Sequence, residues 1–236
     1  MNQDALVVVT GASRGVGREA VRALAGTHGL NVLAVARDEG ALRVLRQACS
    51  DGPGAVEVLA LDLSGPAAVD EVVHRVGQRR VLGLLNNAGL LRKRTFGSWT
   101  AEDLGALFHV NAHVPLLLVQ ALADRLSGDP PGHVVNIGSM GGVQGSAKFA
   151  GLVGYSASKM ALAGITECLA EELRDRQVRC NCLALGAVDT DMLREAFPGY
   201  QAPVTAEAMG REVARFLVDG HKFFNGKVLS MSLTTP

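Results

Sequence analysis

Short apolar runs, rich in Val, Leu and Ala, alternate along the chain with longer stretches in which apolar residues recur at helical spacing. The apolar runs cover residues 5–9, 31–36, 55–61, 81–85, 133–137, 178–185 and 227–233. Runs that are apolar at nearly every position are typical of strands buried on both faces, as in a parallel sheet. Helix-start signals follow some of these runs, at Asp38, at Ser64 and at Thr100 with Asp103. The pattern predicts repeated βα units.

Composition narrows the class of protein. The chain has 236 residues, of which 48% are hydrophobic and 19% charged, and this balance excludes a disordered chain. No linker, charge block or repeat divides the sequence, so we expect a single domain over residues 1–236. Basic and acidic residues number 23 each, which leaves no basic excess for binding nucleic acid.

Membrane and metal sites are also not expected from the sequence. The longest apolar stretches, such as residues 114–123, fall short of the ~20 residues that a membrane-spanning helix needs. The four cysteines lack the pairing of metal ligands, and the six histidines include no metal-binding helical pair with an acidic partner. Free thiols and the lack of a signal peptide predict a cytoplasmic protein.

The first βα unit carries a glycine-rich turn, Thr10-Gly11-Ala12-Ser13-Arg14-Gly15-Val16-Gly17. Gly11 permits a tight turn, and Gly15 lets backbone N–H groups approach a pyrophosphate at the helix N-terminus. Gly17 allows the helix to pack closely on the strand. A barrel of eight parallel strands would show the same alternation of elements. The order of strand, glycine turn and helix favours instead a doubly wound sheet with a nucleotide site.

The spacing of these glycines, with motifs farther along the chain, resembles the short-chain dehydrogenase/reductase family. The other motifs are Asp62, Asn86-Asn87-Ala88-Gly89, Asn111, Ser139 and Tyr155-Ser156-Ala157-Ser158-Lys159. The resemblance covers almost the whole chain. It implies a Rossmann-like, doubly wound and mostly parallel seven-stranded sheet with helices on both faces. It also implies a nicotinamide cofactor held by Gly11, Ser13, Arg14, Gly15, Val16, Gly17, Arg37, Asp62, Leu63, Asn87, Ala88, Gly89, Tyr155, Lys159, Gly186, Val188 and Thr190.

Four polar residues form the predicted catalytic set. Tyr155 and Lys159 are four apart on a predicted helix, so their side chains lie on one face. A free tyrosine has a pKa of about 10, and we expect the neighbouring ammonium to lower the pKa of Tyr155. The resemblance implies that Ser139 binds the substrate oxygen and that Asn111 holds a water of the proton relay. The set as a whole implies reduction of a carbonyl group by a hydride from nicotinamide.

The residues after the second apolar run bear on the choice of cofactor. Ala36 occupies the position where NAD-dependent members of the family resemble one another by carrying Asp. Arg37 follows it, and Arg14 lies in the glycine turn, so two guanidinium groups are expected to face a ribose 2′-phosphate. The sequence thus favours NADP(H). NAD(H) stays open, because Asp38 is placed to pair with Arg37 and neutralise it.

The substrate side is less constrained by the sequence. The segment from Ser139 to Tyr155 is longer than usual for the family, and it either bulges over the pocket or lies in solvent. Residues from about 189 to 218 are predicted to form a short substrate lid, in which Tyr200 is either a pocket aromatic or a core residue. The candidate substrate contacts are Gln144, Lys148, Phe149 and Phe197.

The leading functional hypothesis is an NADPH-dependent carbonyl reductase or alcohol dehydrogenase for a small ketone, aldehyde or secondary alcohol. One alternative is a reductase of carrier-linked 3-ketoacyl groups, for which the basic run Arg92-Lys93-Arg94 is the only hint. Another is an NADPH-binding redox sensor without an enzymatic reaction. The resemblance also implies a homodimer or homotetramer, with interfaces formed by the helices that begin near Asp103 and Tyr155.

Overall fold

Seven parallel strands form the central sheet in the computed structural model of the protein, which describes residues 5–234. Residues 1–4 and 235–236, the ends of the predicted domain, lie outside the described residues. The strands are β1 Leu6–Thr10, β2 Asn31–Ala36, β3 Val56–Ala60, β4 Val81–Asn86, β5 Gly132–Ser139, β6 Val178–Leu185, β7 Val188–Asp189, β8 Val204–Thr205 and β9 Lys227–Met231. The order in the sheet is β3-β2-β1-β4-β5-β6-β9, and β7 pairs separately with β8. The predicted doubly wound, seven-stranded sheet is confirmed.

Helices cover both faces of this sheet. They are α1 Gly15–Gly26, α2 Glu39–Ala48, α3 Ala68–Val76, α4 Ala101–Phe108, α5 Val114–Leu126, α6 Val153–Glu172, α7 Asp191–Ala196 and α8 Ala206–Asp219. On one face α1 and α8 pack through residues such as Leu24 and Val213. On the other face α3 and α5 pack through residues such as Val72 and Leu118. Because successive residues of β1 enter opposite clusters, its sequence is apolar throughout.

Two of the three predicted helix-start signals act as expected. The backbone N–H of Ala41 donates to Asp38 Oδ1 at 2.9 Å, which caps α2, and the N–H of Asp103 donates to Thr100 Oγ1 at 3.0 Å, which caps α4. The signal at Ser64 was wrong, because α3 begins later, at Ala68. The Ser64 hydroxyl donates instead to Asp62 Oδ1, 2.8 Å away, in the turn that follows β3.

The segment predicted as a lid divides into two parts with different surroundings. α8 packs against α1, so closely that a Cβ atom added at Gly210 would lie 2.4 Å from Glu19 Cβ. Met209, Val213 and Leu217 of α8 are buried in the core. This packing fixes α8 as a core helix, and within 189–218 only the residues around α7 reach the cavity described below.

α4 and α5 belong to one continuous helix, Ala101–Leu126, with a π-helical turn at His109–His113 between them. By length and composition this helix could cross a membrane, with a mean hydropathy of 1.5 in its most apolar window. The sequence predicted no apolar stretch of that length, since its longest apolar runs, such as residues 114–123, are shorter. A core helix passes the same test, and half of this window is buried within the fold. Leu107, Leu118 and Leu122 pack inward from it.

Candidate active site

A cavity of about 810 Å³ opens at the carboxyl ends of β1 and β4, where the order of the strands reverses. Such a switch point is the usual ligand crevice of a doubly wound sheet. Of the predicted catalytic and cofactor-binding residues, Gly17 and Asn111 are not part of its lining. The predicted residues that line it are Gly11, Ser13, Arg14, Gly15, Val16, Arg37, Asp62, Leu63, Asn87, Ala88, Gly89, Ser139, Phe149, Tyr155, Lys159, Gly186, Val188, Thr190 and Phe197.

The glycine turn is held tightly against the loop after β4. Gly11 and Gly15 have φ values of +66° and +57°, a conformation that side chains disfavour. A Cβ atom added at Gly17 would lie 2.3 Å from Asn87 Nδ2 and 2.4 Å from the Gly11 carbonyl oxygen. Asn87 Nδ2 donates to the carbonyl oxygens of Thr10 and Gly11, at 3.0 and 3.1 Å. The Asn87 side chain therefore braces the glycine turn.

The first turn of α1 offers its backbone N–H groups to the cavity. Arg14 at the N-cap makes no side-chain hydrogen bond to them, and Gly15 and Val16 line the cavity. Free N–H groups and the helix dipole at such a terminus favour an anion. The turn therefore fits the pyrophosphate of a dinucleotide.

Two arginines stand at the same end of the cavity. Arg37 Nη1 lies 4.0 Å from Asp62 Oδ2, and Arg14 Nη1 lies 3.6 Å from Asp191 Oδ2. Hydrogen bonds from Ser64, helped by Arg37, hold the pKa of Asp62 below its usual value. Asp38 does not neutralise Arg37 as the alternative interpretation required, since its carboxylate caps α2. Both guanidinium groups are more than half exposed, so they are available to a phosphate.

Ser139, Tyr155 and Lys159 meet on the opposite wall. Ser139 ends β5, while Tyr155 and Lys159 lie in the first two turns of α6. Lys159 is buried, and its ammonium donates to the Ile137 carbonyl oxygen at 2.7 Å. Burial lowers the pKa of Lys159 to about 8. A Cβ atom added at Gly89 would lie 3.6 Å from Lys159 Nζ, so only a small residue fits beside the ammonium.

The structure corrects the expected pKa of Tyr155. Burial raises the pKa of the phenol above its ordinary value, and a hydrogen bond with Ser139 opposes this rise without cancelling it. The expectation of a lowered Tyr155 pKa was wrong, because burial of the phenol outweighs any effect of the Lys159 ammonium, which donates to the Ile137 carbonyl oxygen. The phenol is therefore protonated at neutral pH in this structure.

Asn111 lies in the π-helical turn and is fully buried. Its Oδ1 accepts from the Leu90 N–H at 2.8 Å, and its Nδ2 donates to the Leu90 carbonyl at 2.8 Å and to Ser158 Oγ at 2.9 Å. Ser158 Oγ in turn donates to the Tyr155 carbonyl oxygen. The side chain thus clamps the loop after β4 to α6. Sequence reasoning missed Ser158, although its position one turn after Tyr155 was the available signal.

The candidate substrate residues separate into two groups. Phe149 and Phe197 line the cavity and contact each other in a T-shaped pair, with ring centroids 5.3 Å apart. Gln144 and Lys148 are exposed and do not line it, and the Lys148 ammonium donates to carbonyl oxygens of its own loop. The Tyr200 hydroxyl lies 2.8 Å from Thr234 Oγ1, away from the cavity lining.

The basic run Arg92-Lys93-Arg94 is engaged within the protein. Arg92 and Arg94 both donate to the carboxylate of Asp103, at 2.6 to 2.9 Å, and this carboxylate is only 6% exposed. The two guanidinium groups hold the pKa of Asp103 far below its usual range. Lys93 Nζ donates to the Ala196 carbonyl at 3.1 Å and lies 5.2 Å from the centre of the Phe197 ring.

Thiol and metal chemistry have no assembled site over residues 5–234. Within that part of the chain, no three His, Cys, Asp or Glu side chains are grouped so as to hold a metal ion. Cys49, Cys168, Cys180 and Cys182 are free thiols. Burial raises the pKa of Cys180 to about 12 and that of Cys182 to about 11, which disfavours their reactive thiolate form.

Comparison with known proteins agrees with this geometry. The family model described as short chain dehydrogenase matches residues 5–201. The chain is 30% identical over 207 residues to the 3-oxoacyl-(acyl-carrier-protein) reductase FabG of Escherichia coli, which covers 86% of this chain and 81% of that protein. It is 33% identical over 195 residues to the L-xylulose reductase of Caenorhabditis elegans, which covers 81% of this chain and 75% of that protein.

Solved structures extend the likeness to the whole fold. The crystal structure of a short chain dehydrogenase from Burkholderia cenocepacia in complex with NADP has a TM-score of 0.86 and 27% identity, covering 98% of this chain and 97% of that chain. The matched family region contains the glycine turn together with Ser139, Tyr155 and Lys159. The chain belongs to the short chain dehydrogenase family of oxidoreductases, which act on carbonyl and hydroxyl groups.

Proposed function

We propose that the protein is an NADPH-dependent carbonyl reductase or alcohol dehydrogenase, acting on a small ketone, aldehyde or secondary alcohol. This proposal rests on one observation. Ser139, Tyr155 and Lys159 lie on the wall of the same cavity that the glycine turn lines. When bound, the nicotinamide supplies the hydride for reduction or accepts it in oxidation. The chain binds the reactants and moves the proton.

The proton transfer is assigned to Tyr155. In reduction its hydroxyl donates a proton to the carbonyl oxygen as the carbonyl carbon gains the hydride, so the ketone becomes an alcohol. Burial keeps this phenol protonated at neutral pH, and that is the state required of the acid. Ser139 donates a hydrogen bond to the same oxygen. Lys159, positively charged below pH 8, stabilises the phenolate that the transfer leaves behind. Solvent then returns the proton.

Asn111 contributes by positioning other groups. Its amide oxygen accepts from the Leu90 N–H, and its two N–H groups donate to the Leu90 carbonyl and to Ser158 Oγ. Both donors are therefore used within the protein, and a relay water at this residue would have to donate to an oxygen of Asn111. The clamp holds α6, and with it Tyr155, at a fixed distance from the loop after β4.

The cofactor preference is for NADP(H). Arg14 and Arg37 stand at the nucleotide end with more than half of each side chain exposed, which suits a 2′-phosphate. The related Burkholderia cenocepacia enzyme was solved with NADP. NAD(H) would bind more weakly, because the Asp38 carboxylate that could meet a 2′-hydroxyl is used in capping α2.

A cytoplasmic homodimer or homotetramer is part of the proposal. The helices predicted to form subunit interfaces carry large apolar side chains that are more than a third exposed, and a second subunit would cover them. These side chains are Leu104, Leu117, Val153 and Met160. Size-exclusion chromatography with light scattering measures the oligomeric state directly, and a monomer at all concentrations would contradict this part of the proposal.

The structure also bears on two other candidate functions. Reduction of carrier-linked 3-ketoacyl groups is suggested by the relatives named 3-oxoacyl-(acyl-carrier-protein) reductase. The basic run that would meet an acidic carrier is engaged internally with Asp103 and Ala196, which argues against it. A redox sensor would need the glycine turn but not the assembled serine, tyrosine and lysine.

The deciding experiment measures NADPH oxidation by absorbance against a panel of ketones, aldehydes, quinones, keto-esters and carrier-linked 3-ketoacyl substrates. Calorimetry of NADPH binding accompanies it, so that a silent enzyme is distinguished from one without cofactor. We expect oxidation with small carbonyl compounds. Oxidation with 3-ketoacyl carrier substrates alone would establish the first alternative. Tight NADPH binding with no oxidation across the panel would overturn the proposal in favour of the sensor.

A further inference from the structure

α7 crosses the cavity from one end to the other. At its start, Asp191 pairs with Arg14 of the glycine turn, and a Cβ atom added at Gly15 would lie 3.3 Å from Thr190 Cγ2. At its end, the Ala196 carbonyl accepts a hydrogen bond from Lys93 Nζ. Both ends of this short helix are therefore held, one by the nucleotide turn and the other by the loop after β4.

Lys93 sits in a loop that is itself fixed on two sides. The Arg94 N–H donates to the Gly151 carbonyl at 3.0 Å, and a Cβ atom added at Gly151 would lie 3.0 Å from Lys93 Cγ. The side chains of Arg92 and Arg94 are tied to buried Asp103. These contacts hold the loop in place, and with it the position of the Lys93 ammonium beside Phe197.

The Lys93 ammonium fixes the position of an aromatic pair. It lies 5.2 Å from the centre of the Phe197 ring, within range of a cation–π interaction. Phe197 packs edge-on against Phe149, at an angle of 75° between the rings. Since both rings line the cavity, Lys93, Phe197 and Phe149 together form a wall at its substrate end, which we call the aromatic wall.

Around the aromatic wall the residues that line the cavity are mostly apolar. The Lys93 ammonium is not part of this lining; it donates to the Ala196 carbonyl and faces the Phe197 ring. Arg92, which does line the cavity, is bound to Asp103. A carboxylate or phosphate placed against the rings would lose water without meeting an unpaired arginine of the lining, and this costs free energy. The apolar lining residues at this end are Leu91, Met140, Leu152, Met192 and Leu193.

We propose that Lys93 is a positioning residue that holds Phe197 against Phe149, and that the aromatic wall selects uncharged carbonyl compounds with an apolar aromatic substituent over anionic ones. The inference rests on the proposed carbonyl reductase function and names its substrate class. Lys93 acts through the two rings and does not itself contact the reacting carbonyl group.

The test compares two ketones that differ in charge but not in shape near the carbonyl. Methyl 4-acetylbenzoate is neutral and 4-acetylbenzoate is an anion, while 2,3-butanedione is a ketone too small to need the wall. We expect the holoenzyme to reduce the ester with a kcat/KM at least about 10-fold above that of the anion, a difference of about 1.4 kcal/mol. Equal values for the two, or reduction of 2,3-butanedione alone, would overturn the inference while leaving the proposed function intact. Reduction of none of the three by enzyme with bound NADPH would count against the proposed function itself.

Substitutions locate the selection in the aromatic wall. We expect F197A and F149A to raise KM for the ester about 10-fold, and K93M about 3-fold. K93R should restore the KM of the original enzyme, because a guanidinium group also binds a carbonyl and an aromatic face. The matched controls are F96A, which truncates a ring that is 93% exposed in the same loop, and K222M, which removes an ammonium paired with Asp219 on the surface.

The same variants also show whether Lys93 has only a structural role. Melting temperatures measured beside the kinetics show whether a variant has merely lost stability. A K93M enzyme that melts normally and has the same KM for the ester as K222M would overturn the positioning role of Lys93. A K93R enzyme that behaves like K93M would do the same.

Discussion

The two ends of the cavity are built in different ways. At the nucleotide end, backbone atoms of one short turn face the ligand, and neighbouring groups such as Thr10 and Asn87 fix that turn. At the substrate end, side chains from three distant segments, Lys93, Phe149 and Phe197, meet one another. The turn could be predicted as a unit because its residues are contiguous, whereas the sequence named Phe149 and Phe197 singly, without their contact with each other or with Lys93.

The largest expected effect lies where the two ends meet. Tyr155→Phe should lower turnover by about 10³-fold, because the proton donor is lost, while NADPH affinity stays unchanged. Steady-state kinetics and calorimetry measure the two quantities. The chain has one other tyrosine, Tyr200, whose hydroxyl contacts Thr234, so Tyr200→Phe is the matched control and should keep full turnover. Retained activity in Tyr155→Phe would refute the mechanism.

Arg37→Ala tests whether the guanidinium group of Arg37 recognises the 2′-phosphate at the nucleotide end. We expect the Kd for NADPH to rise about 10-fold, because a charge-assisted hydrogen bond to the 2′-phosphate contributes about 1.5–3 kcal/mol. The Kd for NADH should not change. Arg43→Ala removes an exposed guanidinium paired with Glu39 on α2 and serves as the control. Equal losses for NADPH and NADH would show that Arg37 does not recognise the phosphate.

Gly17→Ala tests the backbone packing of the same end. The added Cβ would meet Asn87 Nδ2 and the Gly11 carbonyl, so the free energy of unfolding should fall by about 1–3 kcal/mol and NADPH binding should weaken. Gly26→Ala lies in the same helix with no atom within 4 Å of its Cβ, and it should stabilise the protein by about 0.5–1 kcal/mol. Urea unfolding compares them, and similar effects from both variants would contradict the close approach.

Lys159→Met tests the buried ammonium between the two ends. Below pH 8 Lys159 is charged in the folded and the unfolded protein alike, and its burial costs free energy. Between about pH 8 and the unfolded value near pH 10.5, the folded protein has released a proton that the unfolded chain still binds, so this cost declines. As the pH rises through this window, the free energy of unfolding of the original protein should therefore increase relative to that of Lys159→Met. A difference independent of pH would contradict the lowered pKa of Lys159.

The features that the sequence predicted are periodic or contiguous, and those that it missed join residues far apart in the chain. The parallel sheet was predictable because strands buried on both faces are apolar throughout, and the glycine turn because its residues are contiguous. The partnership of Asn111 with Ser158 joins residues 47 positions apart, and the pairing of Asp103 with two arginines reverses the interpretation of a basic surface run. Neither leaves a periodic or local signal. The role of α8 was misjudged because its apolar face matches α1 only in three dimensions.

The π-helical turn at His109–His113 limits where residues can be inserted into or deleted from this chain. Such a turn is an α-helix with one residue more than the regular ladder accommodates, and it usually persists only where that residue serves a purpose. Deleting one residue from it would convert this segment to regular α-helix and shift the backbone that carries Asn111. Asn111 could then no longer hydrogen-bond both Leu90 and Ser158 as it does here. Insertions and deletions in homologues should therefore avoid the long helix between residues 101 and 126 and fall in the loops around it.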